Sequence, residues 1–279
     1  MKILILGSAG RIGRLLAGAF PGHRVLGTRR PEVDLRDRAS VERAVAAFDP
    51  DAVLLAAGIA DPDFCEDHPG DAYAVNVDGA RNAAEVSVGR RFVFFSTDHV
   101  FDGRGGPYSE EDRPGPLNVY GRTKLEAERI VRTVHPGALV VRTTLVYHYD
   151  PGGRNFLMTL LRARSPVPCW TDHRATYTYG PNLAEAVAEL VERGERGIWH
   201  VAGPEVLDRY AFALRVAARF GLDPGLFRPV RIREAPPRAP RPLRAGLRTD
   251  KARAALRVKL LSVDEGLELA YRVHERHPR

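Results

Sequence analysis

Lys2-Ile-Leu-Ile-Leu-Gly7-Ser-Ala-Gly10-Arg-Ile-Gly13 opens the chain and decides how the rest is read. The apolar run Ile3 to Leu6 suits one buried strand and is too short for a signal peptide or a membrane span, which needs about 20 such residues. The glycines stand between that run and a helical pattern from Ile12 to Phe20. There they permit a tight turn and let backbone N–H groups close on a pyrophosphate, which lies on the positive end of the helix. A glycine motif alone says little, and this context is what gives it weight. Gly7, Gly10, Arg11, Ile12 and Gly13 are the expected cofactor turn, with a merely structural glycine turn as the rival.

Working outward, the pattern repeats. Arg24 to Gly27, Ala52 to Ala56, Phe92 to Phe95 and Ala138 to Val141 read as further buried strands, each almost continuously apolar as parallel strands are. Helical periodicity fills the gaps over Ser40–Phe48, Asp71–Val88 and Val119–Val134. Such alternation predicts an α/β fold, a Rossmann-type doubly wound parallel sheet. Beyond about residue 150 the pattern loosens. A helix at Asn182–Glu192 and a strand at Gly197–Val201 are expected to return to the sheet. The expected division is a cofactor domain over 1–150, joined by 181–202, and a smaller substrate-binding lobe from the rest of 151–279. Helices are expected there at 155–163, 210–220 and near Lys251 and Asp264, around a Pro/Arg-rich stretch from Pro224 to Pro242.

The 279 residues are 44% hydrophobic, enough for a full core, and carry a formal charge of +7, nearly all of the positive residues being arginine. No cluster of basic residues interleaved with aromatics points to nucleic acid, so small polyanions are the expected partners. No run is long enough for a membrane span, and a cytoplasmic location is expected. Cys65 and Cys169 have no partners at metal-ligand spacing and read as reduced and structural, with no metal expected. A homodimer is left open.

Cofactor choice is read where the second strand ends, at Gly27-Thr28-Arg29-Arg30. An arginine there accommodates the 2′-phosphate of NADP, whereas an acid accepts the ribose hydroxyls of NAD. Arg29, with Arg30 second, favours NADP(H); Glu32 keeps NAD(H) in play.

Tyr120 and Lys124, four apart at the start of a helix, share one face. An ammonium beside a phenol favours the phenolate, and the spacing predicts a Tyr120 pKa below the usual 10 or so, suited to proton transfer. With nine tyrosines in the chain and its few lysines, one such pair arises by chance in roughly one sequence in eight. The glycine turn makes that accident a poor explanation. Thr97, with Ser96 as fallback, lies just past the fourth strand, at the sheet edge where sites form, and supplies a hydroxyl for a carbonyl oxygen gathering charge.

The glycine spacing resembles the short-chain dehydrogenase/reductase superfamily. The run Ser96-Thr-Asp-His-Val-Phe-Asp-Gly103, then Pro116-Leu-Asn-Val-Tyr-Gly121 with Lys124, then Val141-Arg-Thr-Thr-Leu-Val-Tyr147, resembles the dTDP-4-dehydrorhamnose reductase family. The likeness continues through Arg154-Asn-Phe156, Asp172, Gly197-Ile-Trp-His200 and Arg241-Pro242 to Lys251. It implies reduction by NADPH or NADH of the C4 ketone of a dTDP-linked 6-deoxy sugar, giving dTDP-L-rhamnose. By resemblance Thr97 is the catalytic hydroxyl, Tyr120 the proton donor, and Lys124 the residue that tunes Tyr120 and holds the nicotinamide ribose. Gly10 to Ile12, Asp34, Leu35, Ala56, Ala57 and Gly58 match cofactor contacts, while Thr97 and Asp98 match positions facing the sugar with Tyr120. Asn76 resembles a helical Asn of extended members, a solvated helix residue being the plain alternative.

The chain departs from the family's pattern at three places. Leu145 stands where Trp is frequent, His99 where Tyr is usual, and Tyr177 where Pro is usual, all expected on the substrate side. Two other readings share the fold: a nucleotide-sugar epimerase or dehydratase, and a non-catalytic NADP-binding subunit like that of methionine adenosyltransferase.

Overall fold

In the computed structural model, which describes residues 1–276, the elements alternate as the apolar runs dictate; the last three residues of the lobe expected to reach 279 lie outside the described residues. The first half runs β1 (Lys2–Leu6), α1 (Arg11–Ala17), β2 (Arg24–Thr28), α2 (Arg38–Phe48), β3 (Ala52–Leu55), α3 (Pro62–Asp67), α4 (Pro69–Tyr73), α5 (Gly79–Val86), β4 (Arg91–Thr97), α6 (Val119–Val134) and β5 (Leu139–Thr143). Then come β6 (Val146–Tyr147), α7 (Phe156–Leu161), β7 (Val167–Trp170), β8 (Arg174–Thr176), β9 (Thr178–Tyr179), α8 (Gly180–Glu192), β10 (Gly197–His200), β11 (Val206–Asp208), α9 (Arg209–Phe220), β12 (Phe227–Val230), α10 (Asp250–Ala255) and α11 (Val263–Arg276).

Six strands form one parallel sheet in the order β10-β5-β4-β3-β1-β2. Because successive side chains point to opposite faces, Ile3 and Ile5 pack with Leu16, Leu183 and Val187 on one side, while Leu4 and Leu6 pack with Val41, Val45, Ala83 and Val131 on the other. Both faces are thereby covered by helices, which is why the strands read as unbroken apolar runs. The second half builds a separate core from Tyr147, Leu157, Phe212, Val216 and Leu267, among others, with three two-stranded pairings around it.

The helix expected over Asp71–Val88 is interrupted. A π-helical turn at Ala74–Asp78 joins α4 to α5 and turns Asn76 inward, leaving it 2% exposed. The Asn76 Oδ1 accepts from the Ile59 N–H at 2.8 Å, and its Nδ2 donates to the Ile59 carbonyl at 3.0 Å and to Thr123 Oγ1 at 3.1 Å. Asn76 is not a solvated helix residue; it ties the turn after β3 to α6.

Candidate active site

Two cavities meet at the carboxyl ends of the parallel strands, sharing Ala56, Ala57, Gly58 and Ile59 as a common wall. The first is lined by Gly7, Gly10, Arg29, Arg30, Asp34 and Leu35. The second is lined by Arg11, Ile12, Ser96, Thr97, Asp98, His99, Tyr120 and Lys124, with Thr144, Leu145, Arg209 and Arg241 opposite. Of the residues expected to contact the cofactor or the sugar, Gly13, Glu32 and Tyr177 lie on neither wall.

Gly13 acts from behind. A Cβ there would stand 2.2 Å from the Gly7 carbonyl oxygen, so only hydrogen lets α1 sit against the turn. Gly7 itself has φ +94°, a left-handed conformation, and a Cβ on it would meet Ala57 at 2.6 Å. The result is a side-chain-free cradle at the start of α1, whose first N–H groups take no side-chain cap. Gly7 and Gly10 at the turn, with Val33, Asp34 and Leu35 on the same cavity wall, are the residues that could hold a dinucleotide here. Asp34 is held by Arg36, their closest approach being 2.6 Å, and this pairing lowers its carboxyl to about 2. The exposed Arg29 side chain points along the same rim, its Nε 3.4 Å from Glu32.

The catalytic candidates are placed by β4 and α6. Asn118 caps α6, its Oδ1 accepting from the Gly121 N–H at 2.8 Å, and the first turns then carry Tyr120 and Lys124 on one face. Lys124 is buried at 7% exposure with its Nζ 4.0 Å over the Phe94 ring, and burial lowers its pKa to about 8. Glu128, one turn on, pulls the other way and is itself gripped by Arg142 at 2.9 and 2.7 Å, both side chains 2% exposed.

The spacing predicts a lowered Tyr120 pKa, and the structure shows the opposite. Burial raises the phenol well above its ordinary value, while the Thr97 hydroxyl and Arg11 draw it down, and Lys124 is engaged with Phe94 instead. Thr97 is the hydroxyl beside the phenol; Ser96 Oγ also lies at the cavity, buried with no hydrogen-bond partner. Thr97 Oγ1 donates to Asp98 Oδ1 at 3.0 Å, and Thr144 Oγ1 donates to Asp98 Oδ2 at 2.8 Å. Burial pushes the Asp98 carboxyl up to about 6 against those two hydroxyls.

His99 replaces a phenol with a neutral ring of fixed tautomer. Because Asn118 Oδ1 accepts from a backbone N–H, its Nδ2 must be the donor to His99 Nδ1 at 2.9 Å, so the ring proton sits on Nε2. Burial, with Arg241 nearby, lowers its pKa to about 3, and its ring centroid stands 5.4 Å from that of Tyr120. Leu145 meets the cavity with φ +36°, a strained conformation for a side-chain-bearing residue. Tyr177 does not reach the cavity: it is buried in the second core, stacked on Phe212 at 4.2 Å, because a flat ring there fills the space between β8 and α9. Arg209 escaped sequence reasoning altogether, since Asp208-Arg209 reads as no more than a helix start. Among the described residues, no group of three or more His, Cys, Asp or Glu side chains is arranged to hold a metal ion, and no helix is long and apolar enough to cross a membrane.

A family model described as the RmlD substrate binding domain matches residues 1–275. The chain belongs to this family. A dTDP-4-dehydrorhamnose reductase of Mycolicibacterium smegmatis is 36% identical over 251 residues, covering 86% of this chain and 76% of that protein. Such relatives mark this RmlD family member as an oxidoreductase. A crystal structure of dTDP-4-dehydrorhamnose reductase from Bacillus anthracis in complex with NADP superposes with a TM-score of 0.92 at 26% identity, over 98% of this chain and 99% of that one. Methionine adenosyltransferase 2 subunit beta of Bos taurus is also similar to this chain, 30% identical over 250 residues, 82% of this chain and 75% of that protein.

Proposed function

We propose that the protein uses NADPH, and more weakly NADH, to reduce the C4 ketone of a nucleotide-linked 6-deoxy sugar, converting dTDP-4-dehydro-L-rhamnose to dTDP-L-rhamnose. The observation that carries this reading is the convergence of Thr97, Tyr120 and Lys124 on one cavity that shares a wall with the glycine cradle. The NADP bound to the Bacillus anthracis reductase and the names of the curated relatives support it.

When bound, the reduced nicotinamide supplies the hydride that the ketone carbon receives. The chain's own residues manage the oxygen. Tyr120 delivers its phenolic proton to that oxygen, completing the alcohol, and the Thr97 hydroxyl, turning its one proton from Asp98 Oδ1 to the same oxygen, steadies the charge as it gathers. Burial keeps the phenol protonated, so the proton is in place before the ketone arrives. Lys124, on the same helix face and seated over Phe94, would hold the nicotinamide ribose. The cofactor-binding part is residues 1–150 with 181–202, and the remainder carries the sugar; the separate core around Phe212 supports that division.

The test is to mix the purified protein with NADPH and dTDP-4-dehydro-6-deoxy-L-lyxo-hexose and follow loss of absorbance by the reduced cofactor. Steady consumption with formation of dTDP-L-rhamnose is expected. NADPH binding without consumption would favour the non-catalytic subunit that one relative represents.

A further inference from the structure

Arg142 on β5 and Glu128 on α6 form an ion pair that lines neither cavity, with both side chains 2% exposed. Arg142 Nε and Nη2 donate to the two carboxylate oxygens at 2.9 and 2.7 Å, the bidentate geometry of a charged pair. The remaining arm, Nη1, stands 3.4 Å from Nε2 of His200 on β10. His200 Nδ1 lies 3.1 and 3.2 Å from the Tyr108 and Arg248 carbonyls, which only accept, so the ring proton is on Nδ1 and Nε2 accepts from Arg142. Burial, with Arg142 beside it, lowers the His200 pKa to about 3, and the ring adds no charge. The guanidinium, 5.1 Å from the Phe101 ring centroid, is thereby fixed in place.

A buried ion pair is weak evidence of stability, since apolar side chains of similar volume often serve as well. Its neighbour gives this one a use. Lys124 and Glu128, four apart on α6, stand one above the other on the same buried face. Lys124 Nζ rests on the Phe94 ring of β4, and among the described residues no group accepts a hydrogen bond from it. Burial lowers its pKa, and Glu128 is what draws it back up; the guanidinium behind that carboxylate is not felt. Cys65 on α3 also faces the amine, but burial pushes its thiol up to about 11, so it is neutral while Lys124 titrates. Tyr120, on the same helix face, is likewise kept neutral by burial. We propose that Glu128, clamped by Arg142, is the positioning residue that keeps Lys124 an ammonium. This rests on the reductase reading, in which Lys124 would hold the nicotinamide ribose, and names the group that maintains its charge. It also gives a part to Arg142 of the Val141-Arg-Thr-Thr run and to His200 of the Gly197-Ile-Trp-His run, which lock the carboxylate in place.

The test reads the charge directly. Lysine occurs only at Lys2, Lys124, Lys251 and Lys259, so the full chain labelled with carbon-13 at lysine Cε reports each amine by NMR, and Lys124→Arg identifies its signal. In wild type that signal should titrate near pH 8, and in Glu128→Gln about one unit lower, a tenfold change, with the other three lysines unmoved. Glu128→Asp, a carboxylate of shorter reach, should recover part of the shift. With NADPH and the keto-sugar, kcat/KM of Glu128→Gln should begin its alkaline decline about one unit earlier and keep its value at pH 6, whereas a merely structural loss lowers it at every pH. Should Glu128→Gln fail to fold because Arg142 has lost its partner, the double variant Glu128→Gln/Arg142→Met, which removes both charges, is read by the same criterion. A Lys124 midpoint that stays put in the folded variant overturns the proposal. Wild-type turnover with such an unmoved midpoint removes the part given to Glu128 and leaves the reductase. A shifted midpoint in a protein that consumes no NADPH removes the reductase and leaves Glu128 as the group that holds the charge.

Discussion

The two sides of the cavity are built by different rules. Toward the cofactor, the walls come from the turns after β1, β2 and β3, three adjacent strands of one sheet, and the shape is set by what is missing: side chains at Gly7 and Gly13. Toward the sugar, only Asp98, His99, Thr144 and Leu145 follow sheet strands; Arg209 and Arg241 arrive from a helix start and a coil more than 60 residues further on. Strand-to-helix turns are local chemistry and repeat across sequences. The proposed sugar side is completed by segments that pack with a second core, and His99 and Leu145 both line it. The proposed cofactor cradle is thus shaped by local turn chemistry, and the proposed sugar wall by the packing of distant segments.

The largest expected effect falls on the residue between the sides. Tyr120→Phe should lower kcat by about 10²- to 10⁴-fold and leave the NADPH dissociation constant unchanged, checked by steady-state kinetics beside fluorescence titration. A near-normal rate would take Tyr120 out of proton transfer. Next comes a change confined to the cofactor side. Gly13→Ala places a methyl 2.2 Å from the Gly7 carbonyl, and the turn must move to admit it. The strain of such overpacking converts to about ten- to a hundredfold weaker NADPH binding, with dTDP binding untouched. If dTDP weakened equally, the two sides would be one coupled unit and the comparison would fail.

The same division governs what could be read from the residues alone. Six of the strands, the glycine cradle and the placing of Tyr120 and Lys124 on one helix face follow from period and turn chemistry. The π-helical turn that buries Asn76 was not legible, because a continuous helical pattern says nothing about a one-residue offset. The raised phenol of Tyr120 is not legible because spacing places an ammonium on the same helix face but reveals neither the desolvation of the phenol nor that the ammonium sits over Phe94 instead. Tyr177 looked like a sugar-side residue by its place in a motif; its side chain turns into the core, where Phe212, 35 residues later, meets it. Arg209 is the clearest case. Nothing near Asp208-Arg209-Tyr210 foretells the Trp170 and Phe156 faces that hold it, since both belong to other elements.

A pH profile sharpens the comparison further. Burial sets the Lys124 pKa near 8, so the ammonium is present below that pH and lost above it. If its charge is needed, kcat/KM for NADPH should decline above pH 8 by about tenfold per unit. Lys124→Arg, which does not titrate in this range, should move that limb upward. His99, neutral throughout, should add no limb of its own, so KM for the nucleotide sugar should stay level between pH 6 and 7.5 apart from Asp98, whose carboxyl titrates near 6. A KM limb that survives Asp98→Asn and disappears with His99→Gln would show that the ring does ionise.

The smallest effect is expected at the rim, where Arg29 lies in solvent. Its side chain is 68% exposed and only 3.4 Å from Glu32, so any contact with a 2′-phosphate is screened and must compete with that carboxylate. Arg29→Ala should therefore weaken NADPH by only about two- to fivefold and leave NADH unchanged. Glu32→Gln makes the opposite case: releasing Arg29 should tighten NADPH slightly, whereas a Glu32 that accepts the ribose hydroxyls would show itself by weaker NADH. Equal losses for both cofactors in Arg29→Ala would remove that arginine from phosphate recognition and pass the role to Arg30, its neighbour on the same wall. If Arg29 and Glu32 set cofactor preference, two exposed charges compete for it, and small free-energy differences of that kind are read by measuring both cofactors on both variants.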